Sequence, residues 1–455
     1  MRAKKLVMKI RNAMGSIWGA SPKALKWAYD GIVVPMLSHG CCVTARACKL
    51  SHIKNKLDKL NRLMALTMCP LRKNSPGEAL EVILGLCPLD LKLEECSLRS
   101  MLRILHHRRS RWSGFGRNSY GHIKYAQEKL LDIGIKEIDF DNIKELNLNP
   151  KYNVDLESFK FGGSPVSRSD VNIFTDGSKL NEKCGYGFCI NQSNVLIAEG
   201  NGKVGDNSTV FQCEILGITK SCDKLLNMDT DYNSISIFSD SQAAIAALAN
   251  LRIESQVVKN CVEKLNTLGQ IADVQIHWVK SHTGHFYNEK ADQNARSGTC
   301  NNNNMVNIPT PISWAMKKIT DSTYRKWSSR WTFSKIGRQT KIWFPKPDKQ
   351  KSKIFLGQTR TELGHQVQMI TGFNRLNYHE SKISGVNPTC RLCLEEEETS
   401  WHIISECPAL WSLRQNSFGT FFLEEPSNWK PHQLQKFLKS PSILELNSGE
   451  VLNQS

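Results

Sequence analysis

Four acidic residues sit where their carboxylates could meet. They are Asp176 in Ile-Phe-Thr-Asp-Gly-Ser, Glu214 in Phe-Gln-Cys-Glu-Ile, Asp240 in Ile-Phe-Ser-Asp-Ser-Gln and Asp292 in Asn-Glu-Lys-Ala-Asp. Carboxylates gathered from separate elements suit hard divalent cations such as Mg2+ or Mn2+, which take oxygen ligands. Two such ions can clamp the attacking and leaving oxygens of a phosphodiester during in-line displacement. Each acid alone has a plainer reading. Asp-Gly after a strand is commonly a turn, Asp240 before Ser-Gln suits a helix N-cap, and Glu214 beside Ile215, Leu216 and Ile218 suits a solvated helix position. Caps and turns do not account for all four in this order.

The elements that would position them can be read from the flanking residues. Asp176 and Asp240 follow apolar, β-branched or aromatic runs, where a strand would end, while Glu214 and Asp292 fall in helix-like stretches. The sequence therefore predicts strand with acid, hairpin, helix with acid, strand with acid, helix, strand, and helix with acid. A further segment, Trp278-Val-Lys-Ser-His282-Thr-Gly284, precedes Asp292 by ten residues.

This succession resembles the ribonuclease H family over about residues 170–298. The resemblance implies an α/β fold with a mixed five-stranded sheet flanked by helices. It also implies an endoribonuclease that cleaves the RNA strand of an RNA–DNA hybrid, leaving a 3′-hydroxyl and a 5′-phosphate. On the family pattern Asp176 bridges two Mg2+ (or Mn2+) ions, Glu214 and Asp240 hold one of them, and Asp292 helps to hold the other. His282 would sit on a mobile loop and assist proton traffic or product release. Ser178, Asn207, Ser208, Thr209 and Lys280 fall where the family touches nucleic acid. The chain departs from the pattern at Lys280-Ser281, where Pro-Gly is frequent, at Tyr287, where Gly is frequent, and at Val210, where Asn is common. Two other classes compete: a nucleic-acid-binding protein with a vestigial centre, and a transposase or integrase of the same core fold. The latter use three acids and lack a helix-borne Glu between the first two, so Glu214 argues against them.

Charge is unevenly spread along the 455 residues, whose net charge is +17. Residues 1–110 hold 20 Lys and Arg against 7 Asp and Glu, a net +13, and residues 299–455 hold 20 against 13, a net +7. Residues 170–298 hold 11 against 15, a net −4. Phosphate affinity scales with neutralising Lys and Arg contacts, so the flanks rather than the acidic middle are expected to hold nucleic acid. The 15 cysteines are an odd number, and neither a secretory segment nor an apolar run near 18 residues is present. These features predict a reduced, intracellular protein, nuclear or cytoplasmic, neither secreted nor membrane-bound.

Residues 1–110 read as a basic helical region. Leu57, Leu60, Leu63, Met64 and Met68 fit one apolar face, with Lys54, Lys56, Lys59 and Arg62 around it. Its Trp18-Gly, Ser21-Pro-Lys, Ile32-Val-Val-Pro35 and Ala79–Asp90 segments resemble the stretch after the reverse transcriptase palm in jockey-like, non-LTR retrotransposon polyproteins. The polymerase signature, aromatic-Ala-Asp-Asp, does not occur in the chain. Residues 111–169 shift to Gly, Asn, Asp and Ser and read as a connector.

Residues 311–380 carry 14 Lys and Arg against 4 acids, interleaved with Trp314, Trp327, Trp331 and Trp343. Tryptophans among cations suit base stacking on a single strand. They suit somewhat better a helical core stripe behind a solvated basic face, since Trp327 and Trp331 are four apart. Within 385–412, Cys390-x2-Cys393-x8-His402-x4-Cys407 offers three thiolates and an imidazole, a closed tetrahedral set for one structural Zn2+. This segment resembles the CCHC knuckle that ends many such polyproteins. Glu395–Glu398 inside it read as a solvated turn.

Overall fold

A computed structural model of the chain describes residues 2–15, 18–72, 74–108, 120–135, 140–141, 143, 146–161, 169–281, 284–423 and 430–448. Its contacts divide the chain into two compact units. One comprises residues 1–104, 113–133 and 319–455, and the other 105–112 and 134–318.

The first unit is helical. Helix Ser51–Met68 buries Leu57, Leu60, Met64, Ala65 and Met68 along one stripe, with Leu63 packed at its edge. The apolar face read from the sequence is thus the buried one. Val7 from helix Arg2–Asn12 and Leu80 and Ile83 from helix Gly77–Leu84 join the same core. So do Trp327, Trp331, Trp343, Val367, Ile370 and Phe437 from the other end of the chain. Three segments that look separate in sequence share one core here. Base stacking by these three tryptophans is excluded, because Trp327 is 6%, Trp331 1% and Trp343 5% exposed. Trp331 also donates its indole N–H to the Phe344 carbonyl oxygen at 2.6 Å. Trp314 belongs to the other unit; it is half-buried, with the Lys318 ammonium 4.3 Å from its ring centroid.

The second unit is built on strands β1 (Leu146–Asn147), β2 (Asn153–Asp155), β3 (Val171–Leu180), β4 (Lys183–Gln192), β5 (Val195–Val204), β6 (Ser234–Ser239), β7 (Arg252–Ile253), β8 (Asp273–Trp278) and β9 (Met305–Val306). Strands β1 and β7 form an antiparallel pair of their own. The others form a sheet in the order β2-β8-β6-β3-β4-β5-β9. β3, β4 and β5 are antiparallel neighbours, whereas β6 and β8 run parallel to β3. The expected five-stranded mixed sheet is therefore present, with β2 and β9 added in parallel at its two edges. β2 comes from the stretch read as connector, so part of that stretch belongs to the sheet.

Val171, Ile173, Ile190, Ile215, Ile218, Ile235, Ile237, Val262 and Ile276 close the core between the sheet and its helices. The Glu214 helix (Val210–Leu226) starts at Thr209, whose hydroxyl accepts from the Gln212 N–H while Gln212 reaches back to the Thr209 N–H, a capping box. The Asp292 helix (Phe286–Gly298) lies across β3 and β4 at very close range. A Cβ at Gly187 would come within 2.2 Å of the Ala295 backbone nitrogen, so glycine is required there. Among the described residues no single helix is long and apolar enough to cross a membrane, and the 15 cysteines form no disulfide.

Candidate functional site

Parallel pairing of β3 with β6 brings the first and third acids together. Thr175 is matched with Ser239, the last pair between the two strands, so Asp176 and Asp240 follow side by side where the pairing stops. β3 itself does not end at Asp176, as the sequence suggested, but runs on to Leu180 paired with β4. Glu214 approaches from the helix above. Gly177 permits this approach, since a Cβ there would lie 2.8 Å from the Glu214 backbone nitrogen. Ligand oxygens of Asp176, Glu214 and Asp240 all lie within 4.8 Å of one another. Asp292 joins Asp176 and Asp240 in lining an adjoining cleft of about 260 Å³, with Ser178, Ser281, Glu289 and Arg296. It stands outside the tight three-acid cluster, and both of its oxygens are taken by Arg296, Nε to Oδ1 at 2.9 Å and an Nη to Oδ2 at 2.8 Å.

The electrostatics of the cluster are strained in the direction a cation would relieve. Burial, then the charges of Asp240 and Asp292, pushes the Asp176 carboxyl up to about 7. Burial, then Asp176 and Asp240, holds Glu214 well above the carboxylate range, although Gly177 and Ser239 bond to it and pull it down. Glu214 is 4% exposed, and its Oε2 has no hydrogen-bond partner. A buried carboxylate oxygen without a donor, facing two further carboxylates, is a group that lacks a positive ligand. The residues present therefore fit a divalent ion.

Below the acids lies an aromatic stack. The ring of Tyr287 lies over Phe174 at 5.8 Å, Phe174 over Phe238 at 4.8 Å, and Phe238 over His277 at 5.4 Å. Phe174 and Phe238 each precede an acid by two residues, so the stack steadies the backbone that carries Asp176 and Asp240. Trp278 fixes the latter from the side by donating its indole N–H to the Asp240 carbonyl oxygen at 2.9 Å. His282 lies outside the described residues. Of the nucleic-acid positions, Ser178 lines the cleft, and Lys280 and Asn207 are exposed. Thr209 spends its hydroxyl on the helix cap. Ser208 is 3% exposed with its carbonyl accepting from the Cys184 thiol at 3.3 Å, so its side chain is not presented to a ligand.

Two contributors escaped the sequence reading. Arg296 was legible as a cation four residues after Asp292 on one helix. Asp141 was not, because its partners are far away in sequence. It accepts from Gln212 Nε2 at 3.1 Å, the Ser255 hydroxyl at 2.8 Å and the N–H groups of Gln256 at 2.8 Å and Val257 at 3.3 Å. It thereby caps helix Gln256–Leu268 and grips the start of the Glu214 helix together.

The second cluster lies in the helical unit. Ligand atoms of Cys390, Cys393, His402 and Cys407 fall within 4.8 Å of one another. The Cys390 and Cys407 sulfurs are 4.0 Å apart, and Cys393 Sγ is 3.3 Å from His402 Nε2. Tetrahedral zinc with sulfur at 2.3 Å separates its sulfur ligands by about 3.8 Å, so the set fits. Leu394 adopts φ 61° to close the loop, and the Leu392 N–H points at Cys390 Sγ at 3.4 Å. The solvated turn expected at Glu395–Glu398 holds for the first three residues only. Glu398 is fully buried, bonded by the Arg391 guanidinium and by the backbone N–H groups of Asn377 and Arg391.

Residues 168–300 match the family model described as RNase H. Sheet order, helix placement and the acid cluster agree with that match, and this segment has the ribonuclease H-like fold. Among curated proteins, a ribonuclease H of Shewanella denitrificans is 27% identical over 147 residues, covering 29% of this chain and 87% of that protein. Among solved structures, RNase H1 of the archaeon Halobacterium salinarum is 20% identical, with 28% of this chain and 96% of that chain covered and a TM-score of 0.24. An N-terminal RNase H domain of Mycobacterium tuberculosis, solved as a fusion with maltose binding protein, is 17% identical over 29% of this chain and 94% of that one, with a TM-score of 0.25.

Proposed function

We propose that the chain hydrolyses the RNA strand of RNA–DNA hybrids with two divalent cations, and that it derives from a non-LTR retrotransposon polyprotein with a terminal zinc knuckle. The observation that carries the catalytic reading is the meeting of Asp176, Glu214 and Asp240 within 4.8 Å, from two strands and a helix, at the mouth of a cleft that also holds Asp292. The bound ions would lower the pKa of the attacking water and draw charge from the leaving oxygen. Asp176, between the other acids, would hold both ions. Glu214 and Asp240 would hold one against the leaving side, and Asp292 the other against the attacking side. Ser178, Asn207 and Lys280 would orient the hybrid beside them, and His282 would serve proton traffic or release. Selectivity for a hybrid would rest on groove shape and 2′-hydroxyl contacts.

The basic helical unit would supply most of the phosphate affinity. Lys4, Lys5, Lys9 and Arg11 are all exposed on helix Arg2–Asn12 and support this reading. Such a protein would work inside the cell, in nucleus or cytoplasm. The test is cleavage of a hybrid labelled on the RNA strand, with Mg2+ or with EDTA, by the full chain and its Asp176→Asn form. Cleavage by the wild type with Mg2+, lost with EDTA and in the variant, is expected. Equal cleavage by both proteins would remove the assignment.

A further inference from the structure

The acid cluster already contains a cation. Arg296 lies one helical turn beyond Asp292, lines the same cleft, and engages both Asp292 oxygens in a two-pronged fork at 2.9 and 2.8 Å. Fork geometry of this kind is stronger and more directional than a single-point ion pair. Asp292 is thereby withheld from the three acids that do cluster. The guanidinium is itself 55% exposed while the carboxylate is 25% exposed, so the cation can leave toward solvent more readily than the acid can. It also faces Asp176, whose charge it helps to balance.

We propose that Arg296 is a positioning residue that occupies Asp292 until a cation claims it. In the free protein the fork satisfies the fourth carboxylate and makes cation uptake at that side weaker than at the three-acid side. When the ion binds, Asp292 exchanges one partner for the other, and the released guanidinium remains at the cleft as a counter-charge for the hybrid's phosphates. The hybrid and the ion then reinforce each other, because the phosphate stabilises Arg296 in the position that leaves Asp292 available. This inference rests on the nuclease reading of the site.

The test is calorimetric titration of Mn2+ into the full chain without nucleic acid, using wild type, Arg296→Gln, Arg296→Lys and Asp176→Asn. An exposed ion pair contributes modestly, so Arg296→Gln is expected to tighten the weaker Mn2+ event by about twofold to fivefold. Arg296→Lys keeps the charge but loses the fork, and is expected to tighten it by a smaller factor. At saturating Mg2+, Arg296→Gln should raise KM for the hybrid severalfold with little change in kcat, and Arg296→Lys should restore part of it. Unchanged Mn2+ affinity in both Arg296 variants, with binding weakened in Asp176→Asn, would overturn the role of Arg296 and leave the metal site standing. An Arg296→Lys protein identical to wild type would overturn the fork. Mn2+ binding that is absent, or indifferent to Asp176→Asn, would overturn the nuclease reading itself.

Discussion

The indole N–H of Trp278 donates to the backbone carbonyl of Asp240 at 2.9 Å, tying the end of β8 to the turn that carries the third acid. Trp278→Phe keeps an aromatic ring and removes the donor. One neutral hydrogen bond is worth about 1 kcal/mol, so kcat for hybrid cleavage should fall roughly fivefold. KM should change little, because the hydrogen bond orients a ligand-bearing turn and does not reach the substrate. An unchanged kcat would show that the ring stack beneath the acids suffices to place Asp240.

The metal-free site should make the protein less stable as pH rises. Asp176 is raised to about 7 and Glu214 is raised too, chiefly by burial and then by their acidic neighbours. A carboxyl raised in the folded state favours folding while protonated. That contribution is complete below the unfolded value near 4 and is lost as pH climbs to about 7. Thermal unfolding in EDTA should therefore show Tm falling between about pH 4 and pH 7. Asp176→Asn should flatten that fall and raise Tm at pH 7, and Mn2+ should do the same for the wild type. A metal-free Tm that rises over this range would contradict the shifts.

The carboxylate of Asp141 holds two helices with four hydrogen bonds. Asp141→Ala should destabilise the sheet-bearing unit by about 3 kcal/mol, because part-buried backbone donors at a helix start lose their acceptor. Urea denaturation followed by the loss of cleavage would measure it. A related expectation concerns fragments. One cut at 170–298 lacks Asp141, β2 and β9, and should be markedly less stable than one spanning 134–318. Equal midpoints would show that the added edges are dispensable.

Zinc should be present at one atom per chain when the protein is purified without chelator, as read by elemental analysis. Cys407→Ala should lose it. Cys390, Ile403 and Cys407 are fully buried in the same core as Met64 and Trp331, so the loss should lower the Tm of the whole helical unit and not merely loosen a knuckle. Full zinc occupancy in Cys407→Ala would remove that residue from the ligand set.

The three acids that cluster, and Asp292 beside them, were legible because each is announced locally. A β-branched run ends at Asp176 and at Asp240, and helical text surrounds Glu214 and Asp292. The same holds for the apolar face of Ser51–Met68, since period alone reveals which side is buried. Period does not reveal the partner. Trp327 and Trp331 therefore read as core somewhat more readily than as stacking platforms, and only the packing against the N-terminal helices decides between them. Asp141 was silent for the same reason: one acid among Glu137, Asp139 and Glu145, in a stretch without periodicity, gives no hint that Gln212, Ser255 and Gln256 will converge on it.

The helical core draws on residues from both ends of the chain, with the sheet-bearing unit encoded between them. Ribosomes deliver these ends far apart in time. Synthesis at about 5 to 20 residues per second places roughly 10 to 45 seconds between the emergence of Ile104 and that of Trp327. Over that interval the N-terminal helices carry Val7, Met64, Met68 and Ile83 without the surface that will cover them, while residues 134–318 can already fold around their sheet. The sheet-bearing unit should mature first on the nascent chain, and the basic helical unit should depend on chaperones until its later residues, from Ile319 on, arrive.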